Sequence, residues 1–199
     1  YPRRSSRVLI LEDGIPIQPA LYVYPNMYYN PPVERLDGVQ VLKGSGVIKY
    51  GPQTMGGVVN YTTRRPNLNF GGFINFTKGE NGYSSLFTEL NGFSVGSTKN
   101  AFQFLYKKGD GFRDNNSFQQ YNATFKSSYN VSDKKNIYSK ITLNHENSNA
   151  TYTGLTEYSF ENNPKFNPKE DDNFNLFRSS IDFITTERIS SSLKKTTKI

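Results

Sequence analysis

A single histidine and no cysteine limit the chemistry that these 199 residues can carry. His145 stands in an alternating run, "NIYSKITLNH", with no second imidazole and no thiolate to complete a metal set or a nucleophile–base pair. It reads as a pore-lining or interfacial side chain. Glu170, Asp171 and Asp172 cluster in a polar stretch, either as a solvated loop face or as carboxylates of the kind that hold calcium. "GSGVIKYG" has Lys49 where the third glycine of G-x-G-x-x-G would stand and contains no G-K-[ST], so it does not make a phosphate cradle. No catalytic set emerges, and neither an enzyme nor a bound cofactor is expected.

The remaining candidates belong to recognition. Gln18 to Pro31 forms an irregular stretch in which Gln18, Tyr22, Tyr24, Asn26, Tyr28 and Tyr29 offer rings together with hydrogen-bonding groups. Turn packing explains the same residues. Arg113 lies in "GDGFRDNNSFQ", where a guanidinium can grip a carboxylate with two parallel bonds or simply be solvated. The formal charge of +7 comes from scattered Lys and Arg, without the stripe or recognition helix of a nucleic-acid binder. Nucleic acid is therefore not an expected partner.

Two grammars position these residues. Residues 1–66 read as short strands and tight turns. "RVLILEDGIPI" is a hairpin around Asp13-Gly14, and "PPVERL" begins a short helix at Pro32 with Glu34 near its positive end. "GVQVLKG" is a strand, "SGVIKYG" a compact turn, and "GGVVNYTT" a further strand. From about residue 67 long alternation takes over. Phe102, Phe104 and Tyr106 oppose Gln103 and Lys107; Tyr121, Ala123 and Phe125 oppose Asn122, Thr124 and Lys126; Ile141 and Leu143 oppose Lys140, Thr142 and Asn144. Phe177, Ile181 and Phe183 likewise oppose Arg178, Ser180 and Asp182. These runs approach the ~9–11 residues that cross a bilayer at a tilt.

A soluble, half-buried sheet alternates in the same way. Strand length and connections favour the membrane: "GSTK" and "SDKK" are short, whereas 109–119 and 146–172 are long and polar. "GENG" (79–82) is the exception, a short connection expected on the long-loop side.

"VLILEDGIPI", "PPVERLDGVQVLKG" and "YGPQTMGGVVNYTTRRP", in that order over roughly residues 2–66, resemble the plug domain of TonB-dependent outer-membrane receptors. Within that family the likeness is greatest to the ferric-citrate (ferric siderophore) receptors. "KKGDGFRD" is similar to a strand entering an outer loop. The resemblance implies a mainly β chain: the later part of a plug domain, a small mixed α/β sheet, over 1–66. Over 67–199 it implies the first strands, about six and the start of a seventh, of an antiparallel transmembrane barrel with about 22 strands when complete. It also implies that the chain is a piece of a longer protein, whose TonB-contacting segment would precede it.

For the site, the resemblance implies that Gln18, Tyr22, Tyr24, Asn26, Tyr28 and Tyr29 reach the plug apex and touch ligand, with Arg113 on an outer loop. Asp13, Gly14, Glu34, Arg35, Lys43, Gly44, Tyr50, Gly51, Gly56, Gly57 and Asn60 would pack the plug or join it to the barrel. Basic plug residues in the family pair with acidic wall residues; Lys43 stands where Arg is common and lacks its fork of donors. The implied partners are a ferric chelate, the TonB protein of the inner-membrane energy-transducing complex and outer-membrane lipid. Two alternatives stay open: another cargo, such as oligosaccharide or cobalamin, carried by the same machinery, and a non-transport β-rich surface binding protein.

Overall fold

A computed structural model of the chain describes residues 8–17, 29–51, 54–149 and 153–199. They divide into two compact units, one of Tyr1–Arg65 with Val131–Ile137 and Asp182–Ile199, the other of Pro66–Asn130 with Tyr138–Ile181.

The first sheet has four strands, β1 (Val8–Glu12), β2 (Ile15–Pro16), β3 (Leu36–Leu42) and β4 (Gly57–Thr63), in the order β2-β1-β4-β3. Asp13 and Gly14 turn β1 into β2 with φ of 54° and 76°. Both values are left-handed, as the tightest hairpin turn requires. β1 pairs with β4 in parallel, Val8 opposite Gly57, and β3 pairs with β4 antiparallel. Leu9, Leu11, Val47 and Val58 form the core, with Leu42 and Tyr50 packed against it. At Gly57 (φ 121°) a Cβ would meet the Leu42 carbonyl oxygen at 2.8 Å, so only glycine lets β4 start there. The helix expected from Pro32 is a single 3-10 turn, Val33–Arg35, because β3 claims the chain from Leu36. A second 3-10 turn, Ser45–Tyr50, follows β3.

The second sheet has seven strands in chain order: β5 (Gly71–Lys78), β6 (Ser84–Val95), β7 (Thr98–Gly109), β8 (Phe118–Ser132), β9 (Lys135–Ser148), β10 (Phe174–Arg188) and β11 (Lys194–Lys198). Its central strands run 12 to 15 residues. That is about twice the usual strand length. Residues 79–83, 110–117 and 149–173 connect strands along one edge, and the short turns at 96–97 and 133–134 lie along the other. The short 79–83 turn thus does share an edge with the long loops.

The two faces of this sheet invert the pattern of a water-soluble one. Gln103, Asn122, Thr124, Lys126, Lys140, Thr142 and Asn144 are at most 1% exposed. Phe102, Phe125, Ile141, Leu143, Phe177 and Ile181, on the opposite face, are 39–67% exposed. The register arranges the outward side chains in rows. Gly72, Leu90, Phe102 and Phe125 form one, Ile74, Thr88, Phe104 and Ala123 the next, and Phe76, Leu86, Tyr106 and Tyr121 a third. A face of rings and aliphatic chains is stable when its solvent is lipid.

Depth along these rows sets the cost of a charge. In the full-length protein, Phe102→Arg is expected to lower the stability of the bilayer-inserted state by about 2–4 kcal/mol, and Gln119→Arg, beyond the tyrosine row, by about 0–1 kcal/mol. Equilibrium unfolding from phospholipid bilayers in guanidinium measures both, and equal costs would contradict the assignment of faces.

Candidate functional site

Polar side chains staple the first sheet where its small core ends. Arg35, fully buried, donates to the buried Glu12 carboxylate and so ties the 3-10 turn to β1. Asp13 accepts from the Thr63 backbone N–H at 2.9 Å and from its hydroxyl at 2.8 Å, clamping the hairpin turn to the end of β4. Asn60 Oδ1 accepts from the Gly14 N–H at 2.8 Å while its amide donates to Gln40 at 3.2 Å. Arg64 donates to the carbonyls of Leu36 and Glu34. In the same compact unit Lys198 donates to the Asp13 carbonyl at 2.8 Å.

Of the residues singled out for plug packing, Asp13, Gly14, Arg35 and Asn60 take part in these staples. Gly44 (φ 84°) and Gly51 (φ 91°) bracket the second 3-10 turn, which presses Tyr50 against the core; Lys49 Nζ lies 5.1 Å from the centre of that ring. Gly56 and Lys43 are exposed, and Glu34 is half-buried. Arg35 finds its acid inside the sheet, on Glu12. Of the candidates for ligand contact, Tyr29 is buried, whereas Gln18, Tyr22, Tyr24, Asn26 and Tyr28 lie outside the described residues.

Arg113 acts as a clasp between the two long loops. Its Nε and Nη2 donate to the Phe166 carbonyl at 3.1 and 3.0 Å, and its Nη1 to the Thr153 carbonyl at 3.1 Å. Asn115 donates to the carbonyls of Lys169 and Asp172, and Asn167 donates back to those of Asp114 and Asn115. The longer loop contains a helix, α1 (Glu157–Asn162), capped by the Thr156 hydroxyl, which accepts from the Ser159 N–H at 3.2 Å. Phe112, Arg113, Leu155, Glu157 and Phe160 line a hollow of about 430 Å³ between the loops. Glu170 and Asp171 of the longer loop are exposed, and Asp172 is half-buried. His145 projects from the outward face of β9, in step with Ile141 and Leu143, and is exposed.

Glu12, Thr63, Arg64, Asn115 and Asn167 were not legible from sequence as site residues. Each is fixed by a partner remote in the chain; Thr63 and Asp13 are 50 residues apart.

Residues 3–58 match the family model described as TonB-dependent Receptor Plug Domain. Among solved structures, the chain is similar to the ferric citrate transporter FecA in its unliganded form, with a TM-score of 0.81 and 21% identity over 99% of this chain and 31% of that one. It is also similar to the ferripyoverdine receptor of the outer membrane of Pseudomonas aeruginosa bound to ferripyoverdine (0.76, 12%, 96% and 27%). The same holds for the ferric-catecholate import receptor Fiu from E. coli K12 (0.71, 13%, 94% and 30%). At these identities the likeness is one of fold, and the chain spans less than a third of each structure.

Removing the clasp should free the loops. Arg113→Ala is expected to raise the rate of limited proteolysis within 153–172 roughly tenfold or more, from the loss of three hydrogen bonds. Arg113→Lys should not restore protection, because a point charge cannot span both carbonyls. Unchanged cleavage in both variants would show that the loops hold together without it.

Proposed function

We propose that this chain, whose residues 3–58 match the TonB-dependent receptor plug domain model, is part of an outer-membrane receptor that binds and imports a ferric chelate. The inverted seven-stranded sheet carries the proposal: its polar face is withdrawn from solvent and its apolar face is open, as a transmembrane wall around a filled bore requires. The four-stranded sheet that precedes it is the plug. Energy delivered by the TonB protein of the inner membrane then rearranges the plug and admits the ligand.

A ferric chelate is favoured as cargo because solved structures sharing this fold are named for ferric citrate, ferripyoverdine and ferric catecholate. The residue types of 18–31 agree with that cargo: tyrosine and asparagine carry rings and neutral donors suited to a polar, oxygen-rich complex. Arg113 contributes by holding the outer loops in place, since its Nε, Nη1 and Nη2 donors are already directed to carbonyls.

The test is growth and uptake. A strain lacking the full gene should fail to grow on ferric citrate as sole iron source and lose uptake of iron-labelled citrate, and the gene in trans should restore both. Unchanged growth and uptake would remove the cargo assignment. Recovery of the full-length protein in the soluble fraction without detergent would remove the receptor itself.

A further inference from the structure

Beyond the tyrosine row, toward the long-loop edge, the outward face of the sheet changes character in one step. The next row in register is Lys78, Ser84, Lys108 and Gln119. Lys78 and Lys108 flank Ser84 from the two neighbouring strands, so their backbones lie roughly 10 Å apart, two strand spacings. Both lysines are exposed. Lys78 Nζ sits 5.9 Å from the centre of the Phe76 ring, and the Tyr106 and Tyr121 rings are 4.8 Å apart. Gln119 caps that pair, donating to both phenolic oxygens at 2.9 Å.

Beside Lys108 and Gln119 opens a hollow of about 350 Å³, also lined by Asn147, Asn149 and Asn173. Asn173 donates to Asn147 Oδ1 at 2.8 Å and to Asn149 Oδ1 at 3.1 Å, which holds the amides in place. Asn147 Nδ2, Asn173 Oδ1 and Gln119 Oε1 have no hydrogen-bond partner among the described residues. Asp110, also in the lining, is folded against Gly82, where a Cβ would meet its carboxylate oxygen at 2.1 Å.

Apolar rows, then phenols, then ammonium groups beside an amide-lined hollow follow the depth profile of one lipid leaflet: acyl chains, interface, phosphate. We propose that Lys78, Lys108 and this hollow hold the phosphate-bearing headgroup of an anionic lipid in the leaflet on the long-loop side, its acyl chains lying along the Phe and Leu rows. The site rests on the reading that the sheet spans a bilayer. A lipid is the occupant because a headgroup tethered by its chains gains the ammonium groups and the apolar wall together, whereas free phosphate gains only the former.

Native mass spectrometry of the full-length protein in detergent, titrated with phosphatidylglycerol or phosphatidylcholine, tests the proposal. The wild type should retain phosphatidylglycerol in preference to phosphatidylcholine. K78Q/K108Q should weaken phosphatidylglycerol retention roughly thirtyfold and leave phosphatidylcholine unchanged, and K78R/K108R should keep the preference. Equal retention by wild type and K78Q/K108Q would overturn the site while the protein still required detergent, leaving the receptor reading intact. Full displacement of phosphatidylglycerol by millimolar inorganic phosphate would make free phosphate the occupant and overturn the lipid. A protein that stays soluble without detergent would overturn both readings.

Discussion

The structure depends on one constraint: a sheet that buries ammonium, carboxylate and amide groups on one face while leaving rings and branched chains open on the other. Lys126 and Lys140 are fully buried, and Glu89 is 4% exposed. Such groups cost several kcal/mol each unless they are paired or hydrogen-bonded, and the inward face supplies partners. Glu89 accepts from Gln103 and from Asn91, Asn122 donates to Asn144 at 3.2 Å, and Gln120 reaches both Asn144 and Glu146 at 3.4 Å. In water, the outward rings would present a contiguous apolar face of the kind that soluble monomers avoid. In lipid the same rings are ordinary. The choice of solvent therefore settles which of the two faces is left open.

The four-stranded sheet solves a different problem. Its core of Leu9, Leu11, Val47 and Val58 is small, so apolar burial alone does little to fix the register of four short strands. The polar staples supply that register. Asp13 fixes the hairpin to Thr63, Arg35 fixes the turn before β3 to Glu12, and Arg64 closes the gap between the end of β4 and the start of β3. A buried pair such as Arg35–Glu12 adds little net stability, but removing one partner strands a buried charge at about 3–5 kcal/mol. The staples thus act as all-or-none locks on the four-stranded sheet.

Local rules made part of this legible. Asp13-Gly14 announced its turn because only a few residues accept two successive left-handed positions. The parity of Phe102, Phe104 and Tyr106 against Gln103 carried over directly into exposure, since a strand alternates whatever lies on either side. Periodicity left the direction open, because a soluble sheet has the same parity with the opposite face buried. The helix expected at Pro32 shrank to a 3-10 turn because a strand start three residues later outweighed local propensity. Helix α1, capped by Thr156, is short enough to disappear in a polar loop read by composition. The Arg113 clasp was invisible for a stronger reason: its carbonyl acceptors are 40 and 53 residues away and carry no side-chain signature.

Site-directed spin labelling tests the assignment of faces most directly. Single cysteines at 101 through 106, in a full-length protein otherwise free of cysteine, would be labelled and reconstituted into phospholipid vesicles. Relaxation by oxygen, which concentrates in the hydrocarbon, is then compared with relaxation by a water-soluble nickel chelate. The account predicts high oxygen and low nickel collision at 102, 104 and 106, with low values for both reagents at 101, 103 and 105. Strong nickel relaxation at the even positions, or no alternation, would contradict it.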